Sequence, residues 1–438
     1  MRRQADALPR IGFRAHSIPL PLSSFLLLFL SPPLLLLTAC AGTPYETGHA
    51  FRVFQENGVI VAETTGAPKY EGELFTYEPV TVLEQDPQNE ESLIYSVRTM
   101  TMDTEGNIYV ADGRNYRIAV FGPDGRYLRS FGRQGSGPGE YRRIEIVDFD
   151  GDVFQIWDSN NTRLNRVRRD GTFLDSRPPP NNMRVAGLRL LPDERLLAWM
   201  SSGEGREGFA WTAAVMLILS PDGDTLATVS SDEVITGSHR EISGPGGMVG
   251  FEQRSIPFVS YPDAEYVPGR GIMITTGMTP EVDWYDLSGR RSATYRLDMA
   301  VRRVTAEHRL AYEEMLRQSE RERAEQSGRE PRPIPEQVYP EHAAIWRGGF
   351  VDDAGYVWLQ VMQLPDELEP DEWSRYFVLD PEGRYLGYAR LPNARARIVR
   401  GHMLAAIADE ETGEDVMTVF RITPIPRGLR YPYPVQYE

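Results

Sequence analysis

Apolar and polar residues alternate in two stretches of the chain that repeat each other. The stretch IYVADGRNYRIAVFGPDGRYL, from Ile108, aligns without a gap on FQIWDSNNTRLNRVRRDGTFL, from Phe154. Each contains an alternating segment, a polar loop, a second alternating segment, an Asp-Gly pair and a third segment. Alternation predicts strands, and Asp-Gly is typical of tight hairpins because it tolerates positive φ. Each stretch therefore predicts three consecutive antiparallel strands.

Weaker copies of this unit follow along the chain and bring the total to six. Their hairpins turn at Asp222–Gly223, Ser288–Gly289 and Glu382–Gly383, and each has a further apolar segment upstream. The last unit ends near Ile422 without an outer strand, whereas residues 71–83 form an unassigned strand before the first unit. A ring in which that strand completes the last unit leaves no long exposed edge. We therefore predict an all-β fold, a six-bladed β-propeller with four-stranded antiparallel blades.

The predicted domain plan follows from this ring. Residues 71–425 form the propeller, and residues 302–344 form a helical insertion between blades 4 and 5. Residues 40–70 are predicted to be an N-terminal tether, and residues 426–438 a C-terminal tail. The helix is either a lid over the mouth of the central channel or a surface helix on blade 4 or 5. Its predicted apolar stripe consists of Ala306, Leu310, Ala311, Met315 and Leu316.

The stretch DTEGNIYVADGRNYRIAVFGPDGRYLRSFGRQGSGPGEY resembles an NHL-type repeat. Its GSGPGE tail is similar to a signature of bacterial six-bladed propeller lipoproteins, whose function is mostly unassigned. The clear resemblance covers about Val97 to Leu174, and it implies the fold but little chemistry, since propellers serve many functions. The segment GRQGSGPGEY, residues 132–141, is interpreted as the joint between blades 1 and 2. No lysine and no helix follow it, as a phosphate-binding loop would require.

The first forty residues have the pattern of an export signal. Arginines precede the broken apolar run LPLSSFLLLFLSPPLLLL, which leads to LTAC at a small-residue cleavage site. Residues 1–39 are therefore predicted to be a signal peptide. The pattern resembles a bacterial lipobox, which implies lipidation of Cys40; an ordinary signal peptide with a chance cysteine is the alternative. Ala41 and Gly42 resemble the outer-membrane pattern of diderm bacteria, so we expect an outer-membrane lipoprotein on the periplasmic or the surface side.

Charge and cysteine content exclude several classes of function. The chain has a formal net charge of −16, and removal of the arginine-containing signal makes it more negative. Nucleic-acid binding requires a basic patch, so that class is not expected. Cys40 is the single cysteine, and its lipidation leaves no thiol for disulfides, metals or catalysis. We predict a monomer, with no cofactor other than the Ca²⁺ considered below.

The predicted loops differ between the two faces of the ring. Turns between strands one and two, and three and four, are tight, whereas the opposite face carries residues 201–213, 231–255, 302–344, 363–375 and 409–415. Long loops on one face of a repeat array usually mark the binding face. The alternative is that loop length drifts because insertions there cost little.

Candidate ligand-binding residues lie in the polar loops of that face. Carboxylate and amide oxygens in the two aligned loops are suited to Ca²⁺ or sugar hydroxyls, although such residues commonly cap their own turns. Two tryptophans in long loops are candidates for stacking on a sugar or a peptide. The candidates are Asp112, Arg114, Asn115, Asp158, Asn160, Asn161, Trp211 and Trp373. His239, His308 and His342 also lie in long loops, and their joining in one site is a further hypothesis.

We expect a lipid-anchored module that binds or scaffolds through the long-loop face. Its partner is an envelope protein or a small ligand such as a glycan, and the lipid on Cys40 holds it to the membrane. The alternative is a hydrolase or lyase that acts on a lactone, glycan or peptide in the central channel. An enzyme predicts a metal or convergent His and Glu side chains at the channel mouth. A scaffold predicts exposed apolar and aromatic side chains on the long-loop face.

Overall fold

The strands of the chain form six successive blades. The structure, a computed structural model, describes residues 48–206, 208–243, 249–368, 373–392, 396–408 and 415–432. The predicted signal peptide 1–39 and Cys40 lie outside these residues. Every blade contains a unit of four strands in antiparallel order, which confirms the predicted six-bladed β-propeller. Three strands precede blade 1: β1 (Ala50–Glu56), β2 (Val59–Thr65) and β3 (Phe75–Val82).

Blades 1 and 2 are regular. Blade 1 contains β4 (Val97–Met102), β5 (Ile108–Asp112), β6 (Arg117–Phe121) and β7 (Tyr127–Phe131). Two short strands, β8 (Arg133–Gln134) and β9 (Glu140–Tyr141), pair in parallel within the joint that follows. Blade 2 contains β10 (Ile144–Asp150), β11 (Val153–Asp158), β12 (Arg163–Arg168) and β13 (Phe173–Arg177). Every residue of β5 and β6 is buried, because neighbouring blades and strands cover both faces of the sheet.

Blade 3 carries a protruding extension where long loops were predicted. Its strands are β14 (Gly187–Leu190), β15 (Leu196–Arg206), β16 (Phe209–Leu219), β17 (Thr225–Ser230), β18 (Val234–Ser243) and β19 (Val249–Ser255). The predicted loop 201–213 is in fact the paired end of β15 and β16, which reaches Arg206 opposite Phe209. The predicted loop 231–255 is largely the hairpin of β18 and β19, and β18 pairs with β16. The loop prediction for residues 201–206 was wrong because all of them are exposed, so their sequence shows no alternation of apolar and polar positions.

Blade 4 is widened by the N-terminal hairpin. Its own strands are β20 (Asp263–Val267), β21 (Gly271–Thr275), β22 (Glu281–Tyr285) and β23 (Arg291–Leu297). Strand β2 pairs in parallel with the outer strand β23, and β1 pairs with β2. The described part of the predicted tether 40–70 is therefore mostly sheet. Val61 and Ala62 of β2 are buried against blade 4, at 2% and 1% exposed, whereas Val53 of β1 is exposed.

Blades 5 and 6 complete the ring. Blade 5 contains β26 (Trp346–Val351), β27 (Val357–Val361), β28 (Trp373–Leu379) and β29 (Tyr385–Pro392). Blade 6 contains β30 (Arg397–Val399), β31 (His402–Ala408), β32 (Asp415–Pro424) and, as its outer strand, β3. Strand β3 pairs antiparallel with β32 from Phe75 opposite Pro424 to Val82 opposite Thr418. Residues 69–74 run along the outer strand of blade 5, bonded to the carbonyls of Tyr385, Leu386 and Tyr388.

The C-terminal segment is part of the core rather than a free tail. Tyr431 is 9% exposed, and its hydroxyl donates to Asp352 Oδ2 at 2.9 Å. Its ring lies 4.8 Å from that of Phe75. The predicted boundary at residue 426 is therefore wrong for residues up to 432, because this aromatic side chain fills a space between blades 5 and 6.

The insertion between blades 4 and 5 is a helix held by two short strands. These elements are β24 (Arg302–Arg303), α1 (Ala306–Ser327) and β25 (His342–Ala343). Thr305 caps the start of α1, and Gly328 ends it in the left-handed conformation. The predicted apolar stripe is wrong, since Leu310 and Met315 are 64% and 46% exposed. The side that faces the protein consists of His308, Tyr312, Leu316, Glu320 and Ala324.

The core is divided among the interfaces between blades. Six clusters of buried apolar side chains lie one at each junction of neighbouring blades, and a seventh lies under the insertion. Four tryptophans are among the largest fully buried side chains: Trp157, Trp284, Trp346 and Trp358. Because each blade buries its faces only against its two neighbours, closure of the ring is needed to bury the last junction.

Candidate functional site

The aligned polar loops of blades 1 and 2 have the same internal hydrogen bonds. Asp112 is fully buried and accepts from the backbone N–H groups of Ser96, Arg114 and Asn115. The Asn115 side chain donates to the other carboxylate oxygen of Asp112 at 2.8 Å. Arg117 forms an ion pair with the same carboxylate, with an N···O distance of 3.8 Å. These contacts occupy the carboxylate and favour the interpretation of Asp112 as a turn cap.

Asp158 repeats this arrangement. It is fully buried and accepts from the N–H groups of Arg142, Arg143 and Asn161, and from the Asn161 side chain. The neighbouring Asn160 is exposed. In blade 1 the Arg114 guanidinium lies 5.7 Å from the ring of Tyr95. The described loops therefore do not point their carboxylates toward a common ligand.

The joint of residues 132–141 is ordered by one arginine of blade 2. Arg163 donates to the carbonyls of Ser136, Gly137 and Glu140 at 2.7, 2.8 and 2.9 Å. Gly132 has a φ of +91°, and a Cβ there would lie 2.7 Å from the Tyr141 ring. Glycine is therefore needed at this turn. These contacts confirm the segment as a joint between blades.

Arg163→Ala is expected to lower the free energy of unfolding by about 2 kcal/mol, because charged donors to three carbonyls are lost. Arg163→Lys should lower the free energy of unfolding by less than Arg163→Ala does, since a lysine ammonium still donates but reaches fewer of the carbonyls. Urea unfolding measures both. Arg168→Ala, on an exposed position of the same strand, is the matched control, and an equal loss there would contradict the role of Arg163.

The two candidate tryptophans lie in strands. Trp211 is in β16, half-buried, with the Arg206 guanidinium 4.8 Å from its ring. Trp373 begins β28 and lies 5.7 Å from the ring of Tyr77. The two belong to different blades, 3 and 5, and each already has an aromatic or cationic neighbour.

The histidines of the insertion have separate contacts. His308 Nδ1 accepts from Thr305 N at 3.2 Å, and its Nε2 lies 3.3 Å from Asp366. His342 is in β25. Among the described residues, no three His, Cys, Asp or Glu side chains are placed to hold a metal ion. The acidic residues 369, 371, 372, 409, 410, 411 and 414 of the predicted loops lie outside the described residues.

The extension of blade 3 and the insertion between blades 4 and 5 pack together and project from the long-loop face. We call this structure the rim and define it as the described residues of 200–213, 231–262, 298–345 and 362–368. The ring centroid of Phe258 lies 5.2 Å from that of Tyr312 in α1 and 6.2 Å from that of Tyr339. Arg254 Nη1 donates to the carbonyl of Glu336 at 3.2 Å, which joins blade 3 to the insertion. The rim thus covers one side of this face, over blades 3 to 5.

The rim also exposes apolar side chains. Six of the large apolar residues that are exposed among the described residues belong to it: Tyr261, Val301, Leu310, Met315, Val338 and Leu368. Leu310, Met315 and Val338 are in the insertion, and Val301 directly precedes it. Leu368 follows the 3-10 turn Pro365–Glu367 that contacts α1. Exposed apolar side chains that form a contiguous surface are typical of protein interaction sites, so the rim is the candidate surface for such a contact.

A cavity of about 1560 Å³ lies at the centre of the ring, and we call it the central channel. Inner strands and their first turns line it, including residues 98–102, 264–270, 350–355 and 396–400. At the tight-turn face, the turns at Gly151–Asp152 and Asp352–Gly355 line the channel. None of the eight ligand candidates lines it, and neither does any residue of the insertion. These contacts favour the surface-helix interpretation of α1 over the lid.

Side chains of one blade form hydrogen bonds with the backbone of the inner strand of the next blade around this channel. Gln155 of blade 2 accepts from Leu190 N at 2.8 Å and donates to Leu190 O at 2.9 Å. Glu265 of blade 4 accepts from Val351 N of blade 5 at 2.8 Å. An innermost strand has one unpaired edge, so these side chains supply hydrogen bonds that a further strand would otherwise give.

Asp352 lies at the wall of the channel under blade 5. Its Oδ1 accepts from the N–H groups of Ala354 and Tyr356 at 3.0 and 2.9 Å. Its Oδ2 accepts from Trp358 Nε1 and the Tyr431 hydroxyl, both at 2.9 Å. Burial raises the pKa of Asp352 to about 6, although these donors act in the opposite direction.

Unfolding should depend on the ionisation of Asp352. Its pKa is higher in the folded protein than its usual 3.8, so the stabilisation is complete below pH 3.8 and is lost as pH rises through 6. Relative to Asp352→Asn, the wild type should lose about 3 kcal/mol between pH 4 and pH 7. Urea midpoints of both proteins across this range give the difference. A difference that does not change with pH would contradict the raised pKa, and Asp124→Asn, on an exposed turn, is the control.

Fold and geometry define the class of protein: a six-bladed β-propeller with a rim on one face and a wide channel. The family model DUF5128, described as a 6-bladed beta-propeller, matches residues 88–166. No helix among the described residues is both long and apolar enough to cross a membrane. No curated protein matches the sequence significantly.

Three solved structures illustrate the similarity of fold. A Bacteroides fragilis protein described as exported is 11% identical, with 83% of this chain and 99% of that one covered and a TM-score of 0.46. A DUF4221 family member from Bacteroides vulgatus is 11% identical over 81% and 100%, with a TM-score of 0.42. Virginiamycin B lyase from Staphylococcus aureus is 9% identical over 79% and 99%, with a TM-score of 0.35. At these values the similarities carry no inference about activity.

Proposed function

We propose that this propeller is a lipid-anchored module of the cell envelope that binds a protein partner through the rim. The observation that supports it most is the exposure of Tyr261, Leu310, Met315 and Val338 on one folded, packed structure. Apolar surface on a rigid support binds without a large ordering cost. The short turns on the opposite face offer no comparable protrusion among the described residues. The partner is expected to be another envelope protein.

The rim has the rigidity that such a surface requires. Arg302 forms an ion pair with Glu367 and also donates to the carbonyl of Met362. Ala344 N donates to the carbonyl of Phe258 at 2.8 Å. Because both ends of the insertion are fixed to blades 4 and 5, α1 presents its exposed side in one orientation.

Cross-linking in the native envelope tests the proposed role of the rim. Leu310→Glu/Met315→Glu in the full-length protein should abolish one discrete cross-linked species, because two carboxylates cannot be desolvated in an apolar contact. The double variant Leu128→Glu/Leu226→Glu is the matched control, since these residues are 54% and 56% exposed on outer strands of blades 1 and 3. A species that both double variants retain, or both lose, would refute the rim as the binding surface.

The envelope location and the lipid anchor are part of the same proposal. The lipobox-like LTAC and the single cysteine support them. Cys40→Ser is expected to abolish incorporation of a labelled fatty acid and to release the protein from the membrane fraction. Ala41→Ser should leave both unchanged. Retention of the label in Cys40→Ser would contradict the anchor without affecting the rim.

We also propose that the blades are of the NHL type. The support is the repeated buried aspartate, Asp112 and Asp158, each with an Asn three residues later that donates to it. In each blade an arginine two residues after that Asn donates to the backbone of the segment that precedes the blade. In blade 1, Arg117 donates to Leu93 O at 2.8 Å. In blade 2, Arg163 donates to three carbonyls.

A further inference from the structure

The segment that leads from α1 back to blade 5 has prolines at alternate positions. It reads EPRPIPEQVYP, residues 330–340, with prolines at 331, 333 and 335. These prolines are not needed to stop the helix, because Gly328 already ends α1 and its N–H bonds to the carbonyls of Ala324 and Glu325. The described residues 330–340 belong to no helix or strand. The prolines therefore act on the conformation of the segment itself.

The alternation of prolines restricts the backbone of this segment. The pyrrolidine ring holds φ of each proline near −65°, and the residue before a proline is kept out of the α region. Because the prolines alternate, one of these two restrictions applies to every residue from Glu330 to Pro335. Polyproline II satisfies both restrictions and has three residues per turn. The sequence therefore favours polyproline II along this part of the segment.

The length of α1 also requires an extended segment. The helix has 22 residues and is therefore about 33 Å long. Strands β24 and β25 pair with each other beside the start of α1, so residues 328–341 must cover this distance on their return. They reach about 43 Å in polyproline II but only about 21 Å as a helix. The fold and the prolines thus favour the same conformation.

The exposure of side chains along the segment repeats every third residue. The inner row is half-buried and consists of Ile334, Gln337 and Pro340. The outer row is exposed and consists of Arg332, Pro335 and Val338. A spacing of three is the period of polyproline II. Pro331 and Pro333 are exposed as well, so the segment presents its proline rings to solvent.

Hydrogen bonds fix this segment to two other parts of the rim. Arg332 N donates to Glu320 Oε1 of α1 at 3.0 Å. Arg254 Nη1, from blade 3, donates to the carbonyl of Glu336 at 3.2 Å. An extended segment that is already held in place loses little conformational entropy when it binds a partner.

A cleft of about 570 Å³ separates part of the segment from α1. Its walls include Ile334, Pro335 and Tyr339 of the segment and Arg309, Glu313 and Arg317 of the helix. Arg309 lies 5.4 Å from the Tyr339 ring, and Arg317 pairs with Glu313 at 3.0 Å. The cleft leaves one side of Pro335 open, so a partner can contact this ring from the outside and from the side of the helix.

We propose that the rim presents residues 330–338 as a preformed polyproline II ligand for a partner domain whose groove is lined by aromatic side chains. The proposal rests on the proposed function of the rim and names the class of its partner. Aromatic grooves bind proline-rich segments in this conformation because the segment is already ordered. An acidic side chain beside the groove pairs with Arg332, which is exposed at one end of the outer row.

Alanine substitution of the three prolines tests the role of the conformation. In the full-length protein in its native envelope, Pro331→Ala/Pro333→Ala/Pro335→Ala should reduce the yield of the rim-dependent cross-linked species about tenfold, because the freed segment must then be ordered on binding. Pro123→Ala/Pro178→Ala/Pro221→Ala is the matched control, since these prolines are exposed outside the rim. An unchanged yield in the first variant, or an equal reduction in both, would overturn the proposal.

A second variant keeps every proline and tests direct recognition. Arg332→Glu should also reduce the yield, because a carboxylate then faces the acidic side chain of the partner. Thermal unfolding of each variant shows whether the propeller is intact. If the proline variant unfolds early, Arg332→Glu decides the outcome, and an unchanged yield in a folded Arg332→Glu protein would overturn the proposal.

A photo-activated cross-linker identifies the surface of the partner. Benzoylphenylalanine incorporated at position 338, at the other end of the outer row, should attach within a groove that contains at least two tryptophan, tyrosine or phenylalanine side chains. Mass spectrometry locates the attachment, and alanine substitution of those aromatic residues in the partner should abolish the species. Attachment to a surface without aromatic side chains would overturn the proposed class of partner.

The same cross-linked species separates this inference from the proposed function of the rim. If Leu310→Glu/Met315→Glu abolishes the species and the proline variant retains it, the rim remains the binding surface and the proline segment is excluded. If no species depends on the rim, both proposals are overturned.

Discussion

A chain that begins at Glu84, and so lacks β3, is expected not to fold into a stable monomer. Leu74 and Phe75 are at most 1% exposed, and Leu83 is 4% exposed. Burial of three such side chains contributes about 5–9 kcal/mol, which is comparable to the whole stability of a typical domain. Their loss also leaves the edge of β32 unpaired, which favours association between chains.

A second truncation separates ring closure from the N-terminal hairpin. A chain that begins at Glu71 retains β3 but loses β1 and β2, and it should fold with reduced stability. Circular dichroism, thermal unfolding and size-exclusion chromatography compare the two chains. If the chain that begins at Glu84 unfolds cooperatively as a monomer at the same temperature as the chain that begins at Glu71, β3 does not close the ring.

Trp358→Ala should cause the largest loss of any single substitution considered for this protein, about 4 kcal/mol. Trp358 is fully buried, and its ring lies 5.5 Å from Phe75, 5.9 Å from Phe350 and 6.5 Å from Tyr431. These neighbours come from the closing strand, from blade 5 and from the C-terminal segment. The substitution therefore opens a cavity where three distant parts of the chain meet.

Two further variants isolate the causes of that loss. Trp358→Phe keeps most of the ring but removes the Nε1 hydrogen bond to Asp352, so it should cost about 1–2 kcal/mol beyond the change in volume. Trp211→Ala removes the same side chain from the half-exposed extension of blade 3, and it should lower the free energy of unfolding much less. Urea unfolding monitored by far-UV circular dichroism provides the comparison. Similar losses in Trp211→Ala and Trp358→Ala would contradict the central role of this cluster.

The sequence predicts the ring well because its signals are local and repeated. Asp-Gly turns, alternating strands and the 46-residue offset specify the blades without knowledge of distant contacts. The unpaired ends of the first and last units predict the pairing of β3 with β32. Strands β18 and β19 could not be predicted in this way, because their sequences VITGSHREIS and VGFEQRS have no sustained alternation and no Asp-Gly pair between them.

The channel could not be predicted from the repeat because its lining belongs to no single repeat position. Arg98 is the second residue of its inner strand, Arg397 is the first residue of its own, and Arg400 lies in a turn. The loops of Asp112 and Asp158 share a clear sequence pattern, but this pattern results from the capping of their turns. A repeated residue is typical of what every blade needs for its own fold, so repetition alone does not mark a ligand site.

The pairing of β3 with β32 has a consequence for the order of events during synthesis. Thr76 and Thr423, which are bonded across this pair, are 347 residues apart in the chain. At typical synthesis rates, roughly half a minute passes between the appearance of the two strands. During that interval the first strand and the edge it will cover are both unpaired. A chaperone that holds extended apolar segments would therefore act at the N-terminal end of the propeller, before the last blade emerges.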